Sequence, residues 1–248
     1  METSSSLEKN DVAIPMKIMT KITNQQGHSF LLAPLESAKV TIDCGANQGE
    51  FSKWVIENSN SKVFGFEPDP RLFVNLPLLD RVKYFQLAID GEAGEFELNL
   101  GNHQCSSAIF SESAQQSSLT VKKTTLENFC NQNDIEKIDL LKIDIEGAEL
   151  KTLEMMSERF AKRIVQMTVE FHDFLRKDDV VRIENVKAKF NKLGFICFRF
   201  SKFTWGDCLF VNQALLPISI FDRAQICVFG KYIPGLIRQS KNLRRKRN

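Results

Sequence analysis

The sequence predicts an α/β fold built on a parallel sheet, doubly wound so that helices cover both faces. Three observations carry this expectation. Short apolar runs alternate along the chain with stretches of helical period, the pattern of βαβ units. Runs such as IDLLKI, residues 138–143, are apolar nearly throughout, which suits strands buried on both sides. At 248 residues the chain holds one α/β domain of ordinary size with extensions.

Taken in order, residues 1–36 are polar and read as a loosely structured lead-in, and residues 37–212 hold the domain. Strands are expected at Val40 to Ile42, Val63 to Phe66, Val82 to Phe85, Ile138 to Ile143, Ile164 to Phe171, Phe195 to Phe200 and Leu209 to Val211. Glu50 to Glu57 places Phe51, Trp54 and Val55 on one helical face, Ala148 to Met156 does the same with Leu150 and Leu153, and Ile183 to Leu193 with Val186 and Phe190. Glu95 to Leu100 alternates like a half-exposed strand, and Gly101 to Ser118 reads as a long polar loop of the kind that covers a site. Thr124 to Glu127 has the Thr-x-x-Glu spacing of a capping box. Residues 213–248 form an extension with a basic tail.

Composition narrows the function. With 43% hydrophobic and 26% charged residues, and no apolar stretch near the length of a bilayer span, the chain reads as globular and cytoplasmic. Cysteines 44, 105, 130, 197, 208 and 227 are scattered singly, without metal-ligand spacing, so reduced thiols and no metal centre are expected. Seven of the 33 basic residues and no acid fall in residues 231–248, which leaves 26 against 31 acids in the body. An acidic body argues against a nucleic-acid partner, while the tail allows weak contact with an acidic membrane surface.

DCGANQG, residues 43–49, is the expected turn from the first sheet strand into a helix, at the strand edge where doubly wound folds bind ligands. Gly45 and Gly49 allow close backbone approach to a ligand, but Asn47 stands where a dinucleotide fingerprint has its second glycine. Asp43 would repel a pyrophosphate and accept hydrogen bonds from an ammonium group. Glu67, 18 residues past Gly49 at the tip of the next strand, can take both hydroxyls of a ribose. A nucleoside carrying an amino acid satisfies both acids, and that ligand is S-adenosylmethionine. Ala88, near the end of the third strand, would admit the flat adenine ring.

The fourth strand runs into IDIEGAEL. Asp144 and Glu146, two apart, would point to one side of an extended segment, with Glu149 in the first turn of the next helix. Glu170 and His172 follow the fifth strand on a common side, and an imidazole there can accept a proton from a hydroxyl. Of the three histidines, His28 is expected outside the sheet and His103 in the polar loop.

DCGANQG, FGFEPDP, LLKIDIEGAEL and VEFH, in that order, resemble the FkbM-type methyltransferases, a branch of the class I S-adenosylmethionine-dependent enzymes, over roughly residues 38 to 212. The resemblance implies a Rossmann-like, mostly parallel sheet of seven strands whose last, near Asp207 to Val211, runs antiparallel. It also implies O-methylation of a sugar, glycan or related small-molecule hydroxyl. It carries the cofactor positions onto Asp43, Gly45, Asn47, Gly49 and Glu67, the acidic motif onto Asp144, Glu146 and Glu149, and the strand-end pair onto Glu170 and His172. Ser106 and Ser107 are similar to a serine-containing stretch of the family. The expected reaction is direct methyl transfer to a hydroxyl, with Asp144, Glu170 or His172 as the base, the first choice being Asp144 to position the acceptor and His172 to take its proton. The rivals are a nicotinamide-dependent dehydrogenase, a nucleic-acid methyltransferase and a catalytically silent binding module of the same fold.

Overall fold

A computed structural model describes residues 21–99, 118–173 and 179–232 of the chain. The expected polar loop with His103, Ser106 and Ser107, and most of the basic tail, lie outside the described residues.

The sheet at the centre has seven strands: β3 (Val40–Cys44), β4 (Lys62–Phe66), β5 (Val82–Phe85), β9 (Leu140–Ile143), β10 (Gln166–Val169), β11 (Phe195–Arg199) and β12 (Cys208–Asn212). Their spatial order is β11-β12-β10-β9-β3-β4-β5. Neighbouring strands from β5 through to β10 run parallel, and β12 is antiparallel to both β10 and β11, as expected for the last strand. The order reverses between β3 and β9, which opens a crevice at the carboxyl ends of those two strands.

Alternation within each strand divides the core between the two faces. Ile42, Leu141, Met167 and Phe210 belong to one apolar cluster, and Val63, Leu140, Val165, Leu209 and Val211 to the other. Helix α2 (Glu50–Asn58) buries Phe51 and Val55 on the second face, and helix α7 (Asp179–Lys192) buries Ile183, Val186 and Phe190 on the first. Each such side chain contributes about 1.5 to 3 kcal/mol by leaving water.

Helices α5 (Glu149–Met155) and α4 (Leu126–Gln132) fall near their expected positions. The cap of α4 is Thr125, whose side chain accepts from the Asn128 amide, and the expected box on Thr124 does not form. Thr124 is the last residue of strand β8 (Ser118–Thr124), paired with Ile89, so its backbone is committed to a sheet. Strand β8 lies between β6 (Ala88–Ile89) and β7 (Gly94–Asn99) in a separate three-stranded sheet.

The described part of the expected lead-in is folded into the domain. Strands β1 (Ile22–Gln25) and β2 (His28–Leu31) form a hairpin across Gln26 and Gly27, both at positive φ, followed by the short helix α1 (Leu32–Glu36). All four residues of β2 are buried. Gln166 of β10 clamps the hairpin, accepting from the Leu31 amide at 2.9 Å and donating to its carbonyl at 3.1 Å. Phe30 meets Phe51 and Trp54 of α2 edge to face. Asp207 accepts from the Ser29 amide and hydroxyl at 2.9 and 2.7 Å. Of the buried residues of β2, His28 is the one that reaches the site.

Candidate active site

The turn after β3 is held by its neighbours. Gly45 (φ +83) lies directly under the loop that follows β9, and a Cβ there would overlap the carbonyl oxygen of Asp144. The close approach anticipated for a ligand is therefore made to a protein backbone. Asn47 takes a left-handed conformation at φ 50, and Gly49 caps α2 at φ 78, packed against Pro77 and Tyr84. Glu67 ties this turn to the one after β4, its carboxylate accepting from the Asn47 amide and from the Asp69 amide, each at 2.9 Å. Burial lifts its pKa to about 7 against the opposing pull of those two amides.

Asp43 is fully buried, and the structure commits its carboxylate elsewhere than to an open site. One oxygen accepts from the Ser52 hydroxyl at 2.7 Å and the other lies 3.1 Å from the Lys142 ammonium. Lys142, itself buried, donates to the Gly45 carbonyl at 2.8 Å and sits 3.6 Å from Asp144. Burial opposes its charge, but Asp43 and Asp144 outweigh it and hold the pKa above that of an ordinary lysine. The expected ammonium acceptor is thus already paired with an internal ammonium. A lysine inside LLKI was the available signal, because a charge in a strand buried on both faces requires a partner.

Past β9 the chain turns instead of continuing extended, with Glu146 at φ 53 and Gly147 at φ 107. Glu149 sets that turn. Its carboxylate accepts from the Ile145 and Gly147 amides at 3.0 to 3.1 Å and lies 2.9 Å from Nδ1 of His172. The other ring nitrogen of His172 is 3.3 Å from Glu146. Burial favours the neutral ring, but Glu149 and Glu146 prevail and raise its pKa to about 9. Two carboxylates on one ring favour its imidazolium form at neutral pH, an arrangement that suits His172 to holding Glu146 and Glu149 in place.

His28, expected outside the sheet, reaches the same cluster from the hairpin. Its Nε2 is 3.4 Å from Asp144 and 3.9 Å from Glu170. Asp144 is held at a pKa of about 2, since burial is outweighed by His28 and Lys142. Glu146 and Glu170 move upward, chiefly through burial and then through neighbouring acids. Reading QG between alternating residues as a hairpin turn was the signal that would have found His28.

A cavity of about 330 Å³ opens at this edge of the sheet, within the range of small-molecule sites. Gly45, Asn47, Glu67 and Ala88 line it from the ends of β3 and β4 and from β6, and Asp144 and Glu146 from the loop after β9. Asp43, Gly49, Glu170 and His172 are not among its walls; His172 reaches the wall residue Glu146 at 3.3 Å. Asp90, Lys151 and Arg182 also line it and were missed in the sequence. They are paired with one another or with neighbours, Lys151 with Asp90 and Glu92, and Arg182 with Glu154 and Asp179. His28, Asp144 and Glu170 bring donor atoms within 4.8 Å of one another, as do Asp144, Glu149 and His172, a spacing that a divalent ion could bridge. In both groups the protein supplies positive charge of its own, through Lys142 beside Asp144 and through protonated His172, and no metal is assigned.

The Methyltransferase FkbM domain matches residues 43–197, more than half of the chain. The 2-O-methyltransferase NoeI of Sinorhizobium fredii is 27% identical over 144 residues, covering 49% of this chain and 59% of NoeI, less than two thirds of its length. Methyltransferase sdnD of Sordaria araneosa is 28% identical over 184 residues, covering 58% of this chain and 70% of that protein. Among solved structures, the Methanococcus jannaschii fibrillarin pre-rRNA processing protein superposes with a TM-score of 0.41 at 14% identity, covering 77% of this chain and 70% of that one.

Proposed function

The chain belongs to the FkbM methyltransferase family, and on that premise we propose that it is an S-adenosylmethionine-dependent O-methyltransferase acting on a hydroxyl of a sugar, glycan or related small molecule. The observation that carries this reading is that Glu67, with the glycine turn it clamps, shares one cavity with Asp144 and Glu146. The cofactor fits the chemistry of that cavity. Glu67 offers carboxylate oxygens for ribose hydroxyls, and small Ala88 leaves room for a flat ring. The cavity walls carry four acids, Glu67, Asp90, Asp144 and Glu146, against two cations, Lys151 and Arg182, so the field favours a cationic ligand over a pyrophosphate.

When bound, S-adenosylmethionine supplies a methyl group on a sulfonium, which leaves as a neutral thioether. Asp144, on the cavity wall and ionised across the neutral range, would hold the cofactor's cationic groups. Glu146 accepts the acceptor's hydroxyl proton as the new oxygen–carbon bond forms, its basicity raised by burial. His172 and Glu149 hold Glu146 and its turn in place. That NoeI is named a 2-O-methyltransferase supports oxygen as the receiving atom.

The reading is tested by mass spectrometry of cell glycans and small metabolites with and without the gene, and with Glu146→Gln in its place. A species lighter by one methyl group should accumulate both without the gene and with Glu146→Gln. A change confined to nucleic acid would overturn the proposal.

A further inference from the structure

Beyond the sheet, helix α8 (Ile220–Cys227) starts at a capping box of Ser219 and Asp222 and runs on into a π-helical turn, Val228–Tyr232. Ile226 is its one fully buried side chain. At about 100° per residue, Ile220, Phe221, Ala224, Cys227 and Val228 share an arc roughly a third of the way around the helix, away from Ile226. That arc faces outward. Ile220 is 74% exposed, Phe221 79% and Val228 46%, and Phe229 in the turn that follows is 55% exposed. An apolar stripe of this kind ordinarily faces a core, and an exposed one marks an interaction surface. The sequence running on from it, residues 231–248, carries seven Lys and Arg and no acid, on a chain whose body is otherwise acidic.

We propose that the outward arc of α8 is a docking surface for an anionic lipid bilayer, to which the basic sequence that follows adds charge. The Ile220, Phe221 and Val228 side chains enter the boundary between headgroups and acyl chains, and the Lys and Arg residues meet lipid phosphates and carboxylates. Stable attachment to a membrane surface takes two signals, an apolar one and a basic one, and here they are contiguous in the chain. A nucleic acid would engage the basic segment but leaves an Ile, Phe and Val arc without a role, since it offers those side chains no apolar surface to enter. A second copy of the chain seated arc to arc would bring two such basic segments together, and like charge opposes that pairing. The inference is independent of the methyl-transfer reading.

The test uses the full-length chain in co-sedimentation with vesicles of phosphatidylcholine alone and of phosphatidylcholine carrying about a third phosphatidylserine. The chain should sediment with the second and stay in solution with the first. The double variant Ile220→Glu with Phe221→Glu should lose about tenfold or more of that partitioning, and so should replacement of Arg244, Arg245, Lys246 and Arg247 by Gln. Both variants should keep the wild-type melting temperature: Ile220 and Phe221 are exposed, and the second variant exchanges charged side chains for polar ones. Absence of sedimentation with either vesicle would overturn the proposal, as would binding that the Ile220 and Phe221 changes leave intact. Retention on transfer RNA at least as strong as on the anionic vesicles would put a nucleic acid there instead. A concentration-dependent dimer in light scattering, abolished by the Phe221 change, would put a second copy there.

Discussion

Nε2 of His28 lies 3.4 Å from the Asp144 carboxylate, joining a hairpin before the first sheet strand to the loop after the fourth. The family match begins at residue 43, so this contact comes from outside it. His28→Gln should leave cofactor affinity unchanged and lower transfer by about tenfold, because Asp144 loses the nearest of the three neighbours, His28, Lys142 and His172, that hold its carboxylate charged and in place. Calorimetry for the cofactor and initial rates with the acceptor found by metabolite comparison check the two halves separately. Loss of cofactor binding would make His28 a structural residue only.

Gly45 belongs to the fold as much as to the site. Gly45→Ala places a Cβ on the Asp144 carbonyl in a left-handed conformation that alanine resists. It should destabilise the protein by about 3 kcal/mol or more, read as a lower urea midpoint at unchanged slope. An unchanged midpoint would show that the two turns are not packed as described.

Lys142→Met removes the cation from buried Asp43. The loss should be about 3 to 5 kcal/mol, because a buried carboxylate is left unpaired. Adding Asp43→Asn should recover part of it, and a double-mutant cycle on denaturation midpoints measures the coupling.

Glu67 gives a dependence on pH. Its folded-state pKa is raised to about 7 by burial, above that of an unfolded glutamate. Its contribution to stability is therefore fully present below the unfolded value and is lost as pH rises through about 7. Wild type should lose stability relative to Glu67→Gln across that window, followed by denaturation midpoints at a series of pH values. A difference that grows with rising pH in the opposite sense would contradict the burial of this carboxylate.

Much of the fold was legible because strands buried on both faces are apolar nearly throughout, so β3, β4, β9 and β10 stood out as runs. Part of the cavity lining was legible for a similar reason: glycines and acids at strand ends, here Gly45, Glu67 and Glu146, are conspicuous against those runs. What was hidden depends on contacts between distant segments. Lys142 looks like a surface residue until β3 is laid beside β9 and Asp43 becomes its partner. The surroundings of His28 and His172 were hidden for the same reason. Proximity to acids marked His172 as a base, yet two carboxylates against one ring favour its imidazolium form, while the hairpin carries His28 to acids more than a hundred positions away. Gly45 was read as making room for a ligand because the Asp144 carbonyl above it is 99 residues on in the chain.

The central claim is that one cavity joins a cofactor edge at Glu67 to a transfer edge at Glu146, and equilibrium binding of S-adenosylmethionine by calorimetry tests it most directly. Wild type and Glu146→Gln should bind with equal affinity, and Glu67→Ala should bind about 10- to 100-fold more weakly for the loss of charge-assisted hydrogen bonds. Binding of a nicotinamide dinucleotide in place of S-adenosylmethionine, or affinity that Glu67→Ala leaves untouched, would contradict the account.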